Sequence, residues 1–383
     1  LLCAAVLAAP GASLVDGTDL EGAALIDGDA ETVRFDVGGQ VRAVPAARLV
    51  AIEMPPGEPA PAEDGFNLYL RNGDRLRGKV SGIGSVLTLE SSRVEGFTAP
   101  LDAVRGVRFG RVVAVHLRGR YAEAFERELE RGRDVIVAIR DAHPTPFAAR
   151  VLEVGEGTLQ ARVGAERQDL SSDRVYGFVR AAEGDLPSGE GVRIRVTLAG
   201  GERVTLPFER ITASHVEGGQ TRIARAAVSR IEFVGPHITH LSDLEPIDVQ
   251  QAALFGEAPK WRRDGMVLGG PLRIAGRTYA RGVGVQARSR LEFVLNGRWD
   301  AFFVLCGIDD AAGPEGDATF RVLGDGKLLA EVRRRHRDPA VPLRLDVKGV
   351  DRLVLEALPG DSWVSDFCDW AEARVYAAAS KGG

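Results

Sequence analysis

The sequence predicts an all-β chain, a tandem row of small barrels followed by one larger β-sandwich. Three observations predict it. Short strands with period-2 alternation recur at similar spacing through residues 15–234. One stretch alone in that region carries helical periodicity. The texture then changes near Leu241, and all four tryptophans (Trp261, Trp299, Trp363, Trp370) lie beyond that point. With 383 residues, 45% hydrophobic and 27% charged, the chain has enough apolar content for several packed cores and too much for wholesale disorder. A net charge of -5 with no basic stripe argues against nucleic acid as a partner.

The first residues, Leu1 to Ser13, form an apolar run that ends in small residues. It is shorter than the roughly 20 apolar residues needed to span a bilayer as a helix. It reads as the back half of a secretory signal (1–13), with cleavage after Ala8 or Ser13. It also reads as a first core strand or helix, and Cys3 is poorly framed for a lipid anchor. No other stretch predicts a transmembrane segment, so the expectation is a secreted, periplasmic or cell-surface chain.

Four small β repeats follow, over 14–54, 66–112, 133–181 and 191–235. Each ends in a similar strand: Leu49 to Met54, Val104 to Phe109, Val175 to Val179, and Val228 to Phe233. Their starts match as well. Asp16-Gly17-Thr18-Asp19-Leu20 parallels Asn72-Gly73-Asp74-Arg75-Leu76, and Gly200-Gly201-Glu202 repeats the turn. A unit of this length with about five short strands predicts an SH3-like or Sm-like barrel. Pro55 to Pro61 reads as a stiff linker and Ala182 to Gly189 as a flexible one. Between the second and third repeats, Tyr121, Phe125 and Leu129 recur at i, i+4 and i+8, which predicts a linking helix over 119–131.

The last domain, 238–377, is a series of short strands with turn chemistry between them, hence an antiparallel sandwich. Leu291 to Leu295 and Phe302 to Leu305 alternate as strands, and Gly324-Asp325-Gly326 marks a hairpin. Phe293, Phe302, Phe320 and Trp370 are the expected core, and a fragment from about Gly235 to Ala379 is expected to fold alone. Trp299 reads as a packing residue at a strand entry.

Five pieces occur here in a fixed order. They are Leu241-Ser242-Asp243-Leu244-Glu245-Pro246, then Gly276-Arg277-Thr278-Tyr279 leading into Gly282-Val283-Gly284-Val285, then Gly307-Ile308-Asp309-Asp310, then the Gly324 to Lys327 hairpin, and last Asp366 to Ala373. Together they resemble the NPCBM/NEW2 family of carbohydrate-binding modules over about residues 238–376. The resemblance implies a galactose-binding-like jelly roll and a polysaccharide or glycoconjugate partner. One departure stands out: Gln286-Ala287 occupies the place where the family usually has His-Ser.

Sugar recognition needs an aromatic face for the apolar side of a pyranose and planar polar groups for its hydroxyls. Trp261, Arg263, Asp264, Gln286, Trp363 and Asp366 supply those types near expected loops. Asp309 and Asp310 read as turn caps, partners of arginine, or oxygen ligands for a structural Ca²⁺; no other cofactor is expected. Cys306 and Cys368 read either as a disulfide or as buried thiols. Arg333-Arg334-Arg335-His336-Arg337 reads as a solvated loop, and no histidine spacing suits zinc. The reading is a non-catalytic, secreted carbohydrate-binding protein whose repeats act as spacer or as an array contacting envelope proteins. Two alternatives stay open: an envelope assembly protein whose module has lost its sugar, and a glycosidase or its accessory chain.

Overall fold

The computed structural model describes residues 11–55, 67–109, 114–140, 143–181, 191–252, 259–361 and 366–377. The expected linkers at 55–61 and 182–189 lie almost wholly outside these, as do Cys3 and most of the expected signal segment. Gly11–Leu14, which the signal reading would partly remove, forms a strand with Ala12 and Leu14 buried. The chain divides into two compact units. One comprises essentially the four repeats; the other holds Val234 onward together with Ser13–Asp19 and Ala47–Val50.

In the first unit a short 3-10 turn stands directly before the last strand of every repeat. The turns are Ala46–Arg48, Leu101–Ala103, Ser172–Arg174 and Arg225–Ala227. The terminal strands pair between repeats as well as within them: Val104–Arg108 also lies against Leu68–Leu70, and Val175–Val179 against Val135–Arg140. Val104–Arg108 lies antiparallel to Val175–Val179, with Val107 opposite Phe178. Leu49–Glu53 lies against Val228–Val234, with Ile52 opposite Ile231. Other ladders also cross the expected repeat limits: Ala24–Asp29 pairs with Arg210–Ile211, and Val94–Glu95 with Thr221–Ala224. The sheets therefore run through several repeats. The physical reason is that each terminal strand offers an unpaired row of N–H and C=O groups, which a neighbouring copy of the same strand can satisfy.

The helix spans Arg118–Arg131, one residue longer at its start than expected, and buries Tyr121 and Phe125. It sits close to the sheet because glycines face it. A Cβ on Gly177 would stand 2.9 Å from the Phe125 ring, and one on Gly106 would stand 3.0 Å from Leu129. Gly132, left-handed at φ 65°, ends the helix.

The second unit contains the expected antiparallel sandwich. One sheet orders Arg262–Arg263, Gly282–Gln286, Phe367–Tyr376, Ala301–Ile308 and Val341–Asp346; the other orders Asp248–Gln251, Ser289–Val294, Arg352–Pro359, Asp317–Gly324 and Lys327–Arg335. Phe293, Phe302, Phe320 and Trp370 are fully buried between them, and Trp299 joins the same core. The Phe320 and Trp370 rings meet edge to face at 4.9 Å, the geometry that aromatic quadrupoles favour. The turn Asp325-Gly326 has φ of 49° and 77° with Gly324 paired to Lys327, a two-residue hairpin of the primed type. The basic run is not a loop. Arg333 and Arg335 belong to the strand Lys327–Arg335, and both bind Asp317 and Asp361.

Ser13–Asp19 is built into this unit by Arg374. The buried guanidinium donates to Val15 O at 3.2 Å, Leu14 O at 2.9 Å and Glu372 O at 3.2 Å, and its carbon lies 4.2 Å from the Phe303 ring centroid. A β-bulge in the closing strand, with Glu372 left-handed at φ 54°, sets Arg374 opposite Phe303. Gly17 covers the same ring so closely that a Cβ would come within 2.1 Å of it.

Candidate ligand-binding site

The edge strand Arg262–Arg263 hangs on Gly282–Gln286, with Arg262 opposite Gly284 and Arg263 opposite Val283. The next residues fold back over that strand. A Cβ on Gly284 would stand 2.3 Å from Gly265 O, so the Gly-Val-Gly pattern is a steric requirement of the loop above it. Asp264 is left-handed at φ 51°, and Gly269 and Gly270 have φ of 105° and 95°. The result is an open cleft of about 460 Å³ lined by Trp261 through Gly265 and by Gly269 and Gly270.

Trp261 is half-buried and packs on the sandwich core. Its backbone N–H donates to Gln251 Oε1 at 3.0 Å, while Gln251 Nε2 donates to Pro259 O at 2.9 Å. The Arg263 guanidinium stacks 5.1 Å above the indole, donates to Ser242 O at 3.0 Å and pairs with Glu245. Asp264 accepts from Arg281 Nη1 at 2.6 Å and from the Gly282 N–H at 3.1 Å, so both its oxygens are in use. Arg281 also pairs with Asp243. Arg262 differs from its neighbours. Its Nε donates to Val267 O at 3.0 Å, and among the described residues no carboxylate pairs with its fork.

Trp261, Arg263 and Asp264 therefore line one cleft, in which Arg263 and Asp264 hold the loop together. Gln286 stands two residues beyond Gly284 on the same strand, opposite Phe367, and is partly buried. Trp363 lies outside the described residues. Asp366 is a correction: it is only 1% exposed and cannot reach a ligand in solvent. Its Oδ1 accepts the Asp317 N–H at 2.9 Å, its Oδ2 has no hydrogen-bond partner among the described residues, and burial pushes its pKa up to about 6. The residues that sequence reasoning passed over are Arg262, Gln251 and Arg281. Arg262 and Arg281 were visible only as arginines in an arginine-rich chain.

The acids considered for Ca²⁺ are occupied by protein. Asp309 accepts the Ala311 N–H at 2.8 Å, and Asp310 accepts the Gly276 N–H at 2.9 Å. The Arg273 N–H is shared between Asp309 at 3.0 Å and Asp369 at 3.1 Å. Among the described residues, no group of three His, Cys, Asp or Glu side chains has a metal-holding arrangement. Burial, with Asp309 beside it, raises the Asp369 carboxyl well above the usual range.

Of the two readings left open for the cysteines, the structure has the second: Cys306 and Cys368 are free, buried thiols. In the ladder Cys306 faces Trp370 and Cys368 faces Ile308. The two residues are thus diagonal neighbours on adjacent strands rather than direct partners.

Fold and cleft define this unit as a two-sheet sandwich with an indole-lined cleft at one sheet edge. Residues 238–376 match the NPCBM/NEW2 domain family. A Renibacterium salmoninarum protein provisionally named endo-alpha-N-acetylgalactosaminidase is 31% identical over 167 residues, 42% of this chain and 11% of that protein. The chain thus spans about a tenth of that relative's length. Among solved structures, the CBM51 module of Clostridium perfringens GH95 in complex with methyl-galactose aligns over 36% of this chain and 99% of its own, at 24% identity and TM-score 0.32. The CBM51-2 and INT domains of Clostridium perfringens ZmpB, with GlcNAc, align over 50% of this chain and 38% of that one, at 24% identity and TM-score 0.34.

Proposed function

We propose that this chain is an exported, non-catalytic carbohydrate-binding protein that holds its glycan in the Trp261 cleft while the repeats act as spacer or protein-contact array. The observation that carries the reading is the half-buried Trp261, whose backbone N–H is held by Gln251 and which lines a polar cleft. The exposed part of the indole suits the C–H side of a pyranose, and the loop amides and Arg262 suit its hydroxyls. The match of residues 238–376 to the NPCBM/NEW2 family supports the same assignment.

Hydrolysis of a glycosidic bond normally uses two carboxyl groups flanking it. Among the described residues Asp264 is the one carboxylate lining the cleft, and its oxygens are spent on Arg281 and Gly282. That arrangement supports binding without cleavage. Affinity is expected to be modest, because a shallow site orders a well-hydrated ligand for little net gain. Calorimetry of the full chain against a glycan panel tests this. Trp261→Ala should abolish measurable binding while leaving the thermal transition in place. Undiminished binding in that variant, or binding by residues 14–235 alone, would overturn the assignment.

A further inference from the structure

Resting on the reading that the Trp261 cleft binds sugar, we infer that its ligand is acidic: a uronic acid whose carboxylate docks on the free fork of Arg262. Charge pairing around the cleft carries the argument. Among the described residues three acids stand at the cleft or its walls, and each is taken. Asp264 is held by Arg281, Asp243 by the same Arg281, and Glu245 by Arg263. Arg262 lines the cleft with its Nε tied to Val267 O, and among the described residues it has no acid partner. Lys260, next along the edge, has none either and is exposed.

The tie to Val267 matters. It fixes one side of the guanidinium plane to the loop and leaves the two Nη groups as the donors available to a ligand. A planar fork of N–H donors matches a carboxylate better than it matches a single hydroxyl. Trp261 stands beside it in the lining, so a sugar resting on the exposed part of the indole can bring its C6 carboxylate to the fork. A neutral sugar in that place would leave an unmatched cation at the cleft wall.

The test is calorimetry on the full chain with matched pairs, methyl galactoside against methyl galacturonide and methyl glucoside against methyl glucuronide. A galactose 6-sulfate arm separates a carboxylate from anionic charge in general. The uronide should bind about fivefold or more tighter than its neutral twin, the scale of one partly exposed bidentate pair. Raising salt from about 0.05 M to about 0.5 M should shrink that preference. In Arg262→Gln the acid-to-neutral ratio should fall to about one, whatever happens to neutral-sugar affinity. In Arg298→Gln, which removes the same charge from an exposed site over Trp299, the ratio should persist.

Equal or better binding of the neutral twins would overturn the inference and leave the sugar reading standing. So would a preference that survives Arg262→Gln or vanishes in Arg298→Gln, or a sulfate that outcompetes the uronide. Failure of every sugar to bind would remove the underlying reading itself.

Discussion

Replacing Arg374 by methionine tests whether residues near the start of the chain are structural parts of the sandwich. The wild-type guanidinium makes three bonds to backbone carbonyls, at Leu14, Val15 and Glu372. At about 1.5 kcal/mol for each bond from a charged donor, their loss costs roughly 4–5 kcal/mol. Removing a buried cation returns part of this, about 2 kcal/mol, since its nearest acid, Glu372 Oε2, stands 3.4 Å away and compensates it poorly. Methionine keeps most of the packing against Phe303. The net expectation is about 2–3 kcal/mol of destabilisation, or roughly 5–10 °C in the melting midpoint of a unit this size. Tryptophan fluorescence reads the right unit, because all four tryptophans lie after Val234. Arg344→Met, on an exposed arginine that donates to Asp16 O, is the control and should shift the midpoint far less. A midpoint unchanged within about 1 °C in Arg374→Met would refute the reasoning, because buried charged hydrogen bonds cannot be that dispensable.

Two further outcomes follow from the buried acids and thiols. The folded-state pKa of Asp366, about 6, lies above its unfolded value of about 3.9, so its contribution to stability is complete below about pH 4 and is lost as pH rises through about 6. Asp366→Asn should therefore match wild type near pH 4 and melt higher at pH 7; a gap that is constant with pH contradicts the assignment. Asp369→Asn should show the same sign, since Asp369 is raised as well, with its gap extending to higher pH. In a Cys3→Ser chain a thiol reagent should label nothing in the native state and two cysteines after denaturation, because burial raises both thiols and blocks access. Zero labels under both conditions would reveal a bridge.

Local structure was largely legible in the sequence. Alternation marked the strands, Tyr121, Phe125 and Leu129 marked the helix, and Asp325-Gly326 marked its hairpin, because each signal depends on neighbours within a few residues. The phenylalanines of the sandwich core and Trp370 were legible for a related reason: large apolar side chains on alternating strands have nowhere else to go. The cleft proposed to bind sugar is lined by Trp261, which the sequence had singled out. Which side chains in it remain available to a ligand was decided only by the tertiary structure. With 49 basic and 54 acidic residues, a one-dimensional reading cannot say that Arg281 takes Asp264 and Asp243, that Arg263 takes Glu245, or that Arg262 is left over. The same limit hid the burial of Asp366, the diagonal placement of the two cysteines, and the pairing of terminal strands between repeats. It also hid the incorporation of Ser13–Asp19 into a sandwich whose main body begins more than two hundred residues later. Strand edges and guanidinium groups accept many partners of equal chemistry. The choice among them is made by the geometry of the packed cores, and that geometry has no local code.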